Sequence, residues 1–249
     1  KLIKKIAPQK LSEYNEHYRS TKSPEQKSEQ IENPVILPED FTLLASGEYL
    51  DPDGKQVLRY ALSRGFTKQK LWKFRVGYSK DFKWRRRLIM PSFDEEGNLN
   101  FITGRAIDSE NSFRYKNESA PRNTVVYNEL DVDFTKPIVL VEGPLDLIKV
   151  NANSTCLLGS SLNPESRLFH QIAKNKTPVI LLLDPDVKKK VFRIADLLAN
   201  FSIDVKINFP PEGKDINDLE EEDVEHLIKT AQQYTYAYKM KIKLGAVKI

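Results

Sequence analysis

Cysteine occurs once in these 249 residues, at Cys156, so the chain can form no internal disulfide and no cysteine-rich zinc site. Histidine occurs three times, at His17, His170 and His226, without metal-ligand spacing. No apolar run approaches the ~20 residues of a membrane span, and no signal-peptide pattern is present. There is no phosphate-binding P-loop, which excludes a nucleotide-driven motor within this chain. These absences leave a protein of a reducing cytoplasm with no membrane partner. Its hydrophobic content of 40% and charged content of 30% are those of a rather polar soluble protein, long enough for one large domain or two small ones.

The net charge of +4 is unevenly placed. Between Arg59 and Pro91 eleven Lys/Arg stand against one acid, Asp81; from Glu212 to Glu225 eight acids stand against one lysine, Lys214. Each run alone reads as a solvated face. Together they suggest one part built to face polyanions and another to hold cations.

Residues 1–40 read as a short helix, Leu2 to Tyr18, followed by a Lys/Glu/Ser/Gln/Pro-rich tether. The chain does not begin with methionine and is expected to be a fragment or a processed form. Gln56 to Phe74 has helical periodicity, broken at Gly65-Phe66-Thr67, with Thr67 as N-cap of the second helix. Leu88–Phe93 and Leu99–Thr103, joined by the turn Asp94–Asn98, predict a hairpin. Arg114–Asn117 and Thr124–Tyr127 are further strand candidates. After Pro137 strands at 138–141, 155–158, 178–183 and 203–208 alternate with helices at 144–151, 164–174 and 187–200, which predicts a parallel sheet with both faces covered. A last helix over 221–234 precedes a basic tail with Lys239, Lys241, Lys243 and Lys248. The expected organisation is therefore a mixed α+β basic subdomain at 41–135, an α/β domain at 136–220, and a C-terminal helix and tail at 221–249.

Two apolar strands run straight into carboxylates. Ile138-Val139-Leu140-Val141 is followed by Glu142-Gly143-Pro144-Leu145-Asp146, and Leu181-Leu182-Leu183 by Asp184-Pro185-Asp186. A third acidic group, Asp215 in Gly213-Lys214-Asp215-Ile216-Asn217-Asp218, follows the strand at 203–208. The C-terminal edge of an open α/β sheet is where ligands bind. Gly143 lets the backbone leave its strand sharply, and Pro144 suits a first helical turn. A glutamate at that elbow can serve as general base or as an outer metal ligand. Carboxylates from three neighbouring strand ends repel one another unless cations neutralise them. Magnesium takes a few such oxygens together with substrate phosphates.

Ahead of the acidic groups lies a basic strip: Arg59, Arg64, Lys68, Lys70, Lys73, Arg75, Lys80, Lys83 and Arg85-Arg86-Arg87. Trp72, Phe74, Tyr78, Phe82 and Trp84 are interleaved with it. Lys and Arg neutralise phosphates, and exposed aromatic faces stack unpaired bases. Aromatic residues at helical spacing are more often core, which is the reading for Phe74.

The acidic groups resemble the three motifs of the Toprim fold, shared by DnaG-type primases, topoisomerases, and some nucleases and recombination proteins. Phe74-Arg75-Val76-Gly77-Tyr78 resembles a primase segment. Arg85-Arg86-Arg87-Leu88-Ile89-Met90-Pro91, Gly104-Arg105 and Arg114-Tyr115-Lys116-Asn117 then resemble the primase basic motifs in order. The resemblance covers about residues 56 to 220, and the flanks look like primases of T-even-like phages. It implies a primase core in which Glu142 acts as base or metal organiser and Asp146, Asp184, Asp186 and Asp215 hold magnesium, with manganese able to substitute. Arg85, Arg87, Arg105, Arg114, Lys116 and Asn117 would bind template, nucleotide or triphosphate. It further implies single-stranded DNA, ribonucleoside triphosphates and a replicative hexameric helicase as partners, in the cytoplasm of an infected bacterium. Zinc would belong only to an upstream module absent from this chain. Pro121-Arg122-Asn123-Thr124 stands where bacterial primases usually carry a histidine-lysine-glycine element, and Asn217 where many cellular members have aspartate. The alternative reading is a Toprim nuclease using the same carboxylates; a third is a DNA-binding adaptor whose acids are structural.

Overall fold

The structure is a computed structural model that describes residues 34–47, 50–159, 161–185 and 188–244. The expected helix over Leu2 to Tyr18 lies outside the described residues, as do most of the tether, Asp186 and Lys248. The described residues form two five-stranded sheets and six α-helices. None of these helices is long and apolar enough to cross a membrane.

The first sheet is antiparallel, in the order β1 (Thr42–Leu43), β2 (Gly77–Tyr78), β3 (Arg87–Phe93), β4 (Leu99–Ala106), β5 (Tyr115–Ser119). Its two helices, α1 (Pro52–Ser63) and α2 (Lys68–Lys73), are separated at Gly65-Phe66-Thr67, and Thr67 caps α2 by accepting from Lys70 N–H at 3.2 Å. The β3–β4 hairpin closes as the sequence predicts. Asp94 Oδ1 accepts from the N–H groups of Glu96 and Asn98, and Gly97 takes the left-handed φ of 85°.

The period-two alternation of this sheet sorts its side chains. Leu88, Met90 and Phe101 enter a core shared with the second sheet, whereas Ile89 and Ile102 pack with Trp84, Val35, Leu37 and Phe41 on the opposite face. Gly104 is required there, because a Cβ would lie 2.9 Å from the Trp84 ring.

The second sheet holds β6 (Ile138–Val141), β7 (Ser154–Cys156), β8 (Val179–Leu182), β9 (Val205–Asn208) and β10 (Gln232–Gln233), in the order β10-β9-β8-β6-β7. β9, β8, β6 and β7 are parallel, and β10 adds an antiparallel edge. Ile138, Leu140, Val179, Leu181, Val205 and Ile207 face α3 (Arg167–Asn175) and α4 (Lys188–Asn200). Val139, Val141 and Leu182 face the shared core, which includes α1 residues Val57 and Ala61 and Val224 of α5 (Glu221–Lys229). Burial on both faces explains why these strands read as continuous apolar runs. The fold class expected from sequence is the one observed.

Three local expectations are corrected. The helix expected at 144–151 is only a 3-10 turn, Asp146–Lys149, and the Ile148 carbonyl that an α-helix would use accepts instead from Lys70 Nζ. Residues 124–127 form no strand. Their carbonyls are satisfied by side chains, Val126 by Asn100 Nδ2 and Tyr127 by Thr155 Oγ1, so no ladder is needed to bury Val125, Val126 and Tyr127. The helix expected at 221–234 ends at Lys229, because Gln232 and Gln233 pair with β9 before α6 (Tyr236–Lys243) begins. α6 docks on α4 through Lys239, which bonds Asp196 and lies 6.0 Å from the Phe192 ring centroid.

Candidate active site

Parallel strands end on one edge, so Glu142 after β6, Asp184 after β8 and Asp215 beyond β9 are delivered together by topology. Asp146 reaches the same place by a turn. Asp146 N–H donates to the Gly143 carbonyl at 3.1 Å, and its Oδ2 accepts from Gly143 N–H at 2.8 Å, so the elbow closes on itself. Asp146 Oδ1 accepts from Asn217 Nδ2, joining the first acidic group to the third. Asp215 caps the short turn Ile216–Asp218 in a reciprocal box, its Oδ1 accepting from Asp218 N–H at 3.0 Å. Glu142 sits half-buried at the end of β6, and its carbonyl accepts from Gly159 N–H at 3.2 Å.

Asp146 is 8% exposed, and burial pushes its carboxyl up to about 7, helped by the negative charges of Asp184 and Asp215. The oxygens that could hold a divalent cation are those of Glu142, Asp184, Asp215 and Asn217, whose Oδ1 is buried with no hydrogen-bond partner. The donors are all oxygen, the carboxylates are of like charge and the Asn217 oxygen is a buried acceptor, a set that fits a hard cation. Among the described residues no three His, Cys, Asp or Glu side chains converge closely enough to hold a metal by themselves. Asp186, expected to be a ligand, lies outside them.

The folded state binds the Asp146 proton more tightly than the unfolded chain does. In metal-free buffer its contribution to stability is therefore full below the ordinary carboxylate range, near pH 4, and is lost as pH rises through about 7. We expect Asp146→Asn to flatten this decline, read as the unfolding midpoint of both proteins across that range. An unchanged slope in the variant would assign the decline to another group.

The basic residues are split by the pleat of the first sheet. Arg105 pairs with Leu88 on β3 and Tyr115 on β5, and with Asn117 it faces the acidic edge. Arg105 lies over the Tyr115 ring, 4.6 Å from its centroid, and its Nε donates to the Tyr60 hydroxyl at 3.3 Å. Burial raises the Tyr115 hydroxyl above its ordinary pKa, with a further contribution from the Asp146 charge, so Tyr115 of the first sheet lies near the acidic elbow of the second. Asn117 Oδ1 accepts from Thr103 Oγ1 at 2.7 Å.

Lys116 turns to the opposite face, its Nζ 5.1 Å from the Trp84 ring centroid. Arg87 is likewise drawn inward. It is 8% exposed, burial lowers its pKa, and its Nη1 donates to the carbonyls of Gly104 and Phe113. Arg86 bonds Asp108 through two nitrogens and Asp53 through Nη1. Of the arginine triplet only Arg85 is exposed, lying over the exposed Phe82 ring; Arg114 is also exposed. Phe74, Tyr78 and Trp84 are core, as expected for most aromatics of the strip.

Beside the elbow lies a cavity of about 210 Å³ between the two sheets. Its rim carries Asn117, Asn123, Asn163, Ser119 and Ser161, its floor Phe101, Val125 and Leu162, and no charged side chain lines it. Tyr115, Asn163 and the serines of this rim were not among the site residues expected from sequence, whereas Asn117 was. The period of β5 was the available signal for Tyr115, since it shares the face of Asn117.

No protein-family model matches the chain, and no curated protein is significantly similar to it. Solved structures do match. The Escherichia coli primase catalytic core aligns at TM-score 0.60 and 15% identity, over 74% of this chain and 75% of that one. The zinc-binding and RNA polymerase domains of Aquifex aeolicus primase align at 0.60 and 20% identity, over 74% of this chain and 57% of that one. A DnaG primase catalytic domain bound to single-stranded DNA aligns at 0.59 and 15%, over 74% of each. At these identities the likeness is one of architecture, and the chain has the fold of the DnaG primase catalytic core.

Proposed function

We propose that this chain is a DNA primase core that synthesises short RNA primers on single-stranded DNA by magnesium-dependent nucleotidyl transfer, in phage DNA replication. The observation that carries the reading is the cleft itself. Arg105 and Tyr115 stand on one face of β4–β5 beside the acidic elbow, and Asn117 on the same face lines a neutral, apolar-floored cavity next to it, within a fold shared with primase catalytic cores. Phosphates need cations of both kinds, side chain and metal, while a base needs an uncharged pocket with a few amide groups.

In this reading Asn117 and the carboxamide rim receive a nucleoside, Arg105 orients phosphate, and the exposed Arg114 meets template. Glu142 takes the proton of the attacking 3′-hydroxyl or would help to organise a cation, which Asp184, Asp186 and Asp215 would hold. Bound magnesium would lower the hydroxyl's pKa and neutralise charge at the α-phosphate and the departing pyrophosphate. Arg85 over Phe82 supports template on the outer surface. The partners proposed are single-stranded DNA, ribonucleoside triphosphates and the replicative helicase.

The test supplies single-stranded DNA, magnesium and labelled ribonucleotides, with an upstream zinc module added for template recognition. Short template-dependent RNA is expected. Shortened template without RNA would make the chain a nuclease, and DNA retention with neither product would make it an adaptor.

A further inference from the structure

We infer that Asn217 is a positioning residue that fastens the acidic elbow to the third acidic turn without a cation. The inference rests on reading this edge as cation-binding, and on nothing further in the priming hypothesis. Asp146 accepts at both oxygens, from Gly143 N–H at 2.8 Å and from Asn217 Nδ2. Ionised, Asp146 only accepts, and the Asn217 amide turns its nitrogen toward it, which sends Oδ1 the other way. That oxygen is a buried acceptor without a hydrogen-bond partner.

The amide thus does two things that a carboxylate at the same position could not do together. It donates to Asp146, and it still offers a neutral oxygen to the edge. An aspartate at 217 would set two carboxylates in contact beside the charges of Asp184 and Asp215, and that contact holds only with a proton or a cation between them. In this chain the Asn217 amide joins the elbow to the third acidic turn by a direct hydrogen bond.

The test compares unfolding midpoints in chelator and in magnesium chloride for the unaltered chain and for Asn217→Asp. The variant is expected to lose on the order of 5–10 °C in chelator and to recover most of it in magnesium, a larger metal-induced shift than the unaltered chain shows. The exchanged pair, Asp146→Asn with Asn217→Asp, restores one donor facing one carboxylate and is expected to recover the metal-free midpoint. Equal midpoints in chelator, equal magnesium shifts, or an exchanged pair no better than the single variant would each overturn the inference. Because the readout is unfolding, a failure to make RNA leaves it standing, and its own failure leaves the priming reading untouched.

Discussion

Asp184→Ala is expected to lower RNA synthesis by about 10²–10³-fold or more while leaving retention of single-stranded DNA unchanged. β8 lies between β6 and β9 in the parallel sheet, so the residue after Leu183 stands between the elbow and the Asp215 turn. Losing one pre-placed group that stabilises transition-state charge typically has an effect of this size. The exposed arginines Arg85 and Arg114 belong to the other sheet's surface, so template retention should persist. Relief of like charge should also lower the Asp146 pKa, since Asp184 is one of the groups raising it. Labelled primer products, filter retention of DNA and the titration of Asp146 measure the three effects. A variant with undiminished RNA synthesis would remove Asp184 from the site.

Arg167→Ala is expected to be the most destabilising single change away from the acidic edge. Arg167 opens α3, where its Nε donates to both carboxylate oxygens of Glu129, at 2.8 and 3.0 Å, and its Nη2 donates to Glu95 at 2.7 Å in the hairpin turn of the other sheet. Glu129 is 3% exposed, and burial already raises its pKa. Breaking a buried pair from one side leaves an uncompensated charge, at a cost of roughly 3–5 kcal/mol. That corresponds to about 10 °C in the unfolding midpoint.

The sign with pH follows from the raised pKa. A carboxyl that holds its proton more tightly when folded contributes stability below its unfolded pKa and loses it as pH rises. The deficit of Arg167→Ala should therefore shrink on acidification into the carboxylate range. A deficit that grows at low pH, or is absent at neutral pH, would show that the pair does not clasp the two sheets.

The acidic motifs were legible in sequence because a strand buried on both faces is an unbroken apolar run, and whatever ends it abruptly stands out. Ile138–Val141 and Val179–Leu182 are such runs, and Glu142 and Asp184 follow them directly or one residue on. The basic residues were legible as a set but not individually. Arg85, Arg86 and Arg87 are consecutive, yet one is exposed, one is tied to Asp108 and Asp53, and one is drawn into the sheet. Lys116 and Asn117 are neighbours on one strand and point to opposite faces. Which parity faces the cleft depends on where the second sheet packs.

Element identity and the acidic edge therefore followed from local pattern, since apolar period and chain breaks are properties of neighbouring residues. Residues 124–127 and 144–151 escaped that logic because their backbone partners, Asn100, Thr155 and Lys70, come from elements far away in the chain. The pairing of Asp146 with Asn217 was decided only by tertiary structure, as was the approach of Tyr115 and Arg105 to it. Hydrogen bonds and charge act over a few ångströms of space, and only packing brings residues 71 positions apart to that distance.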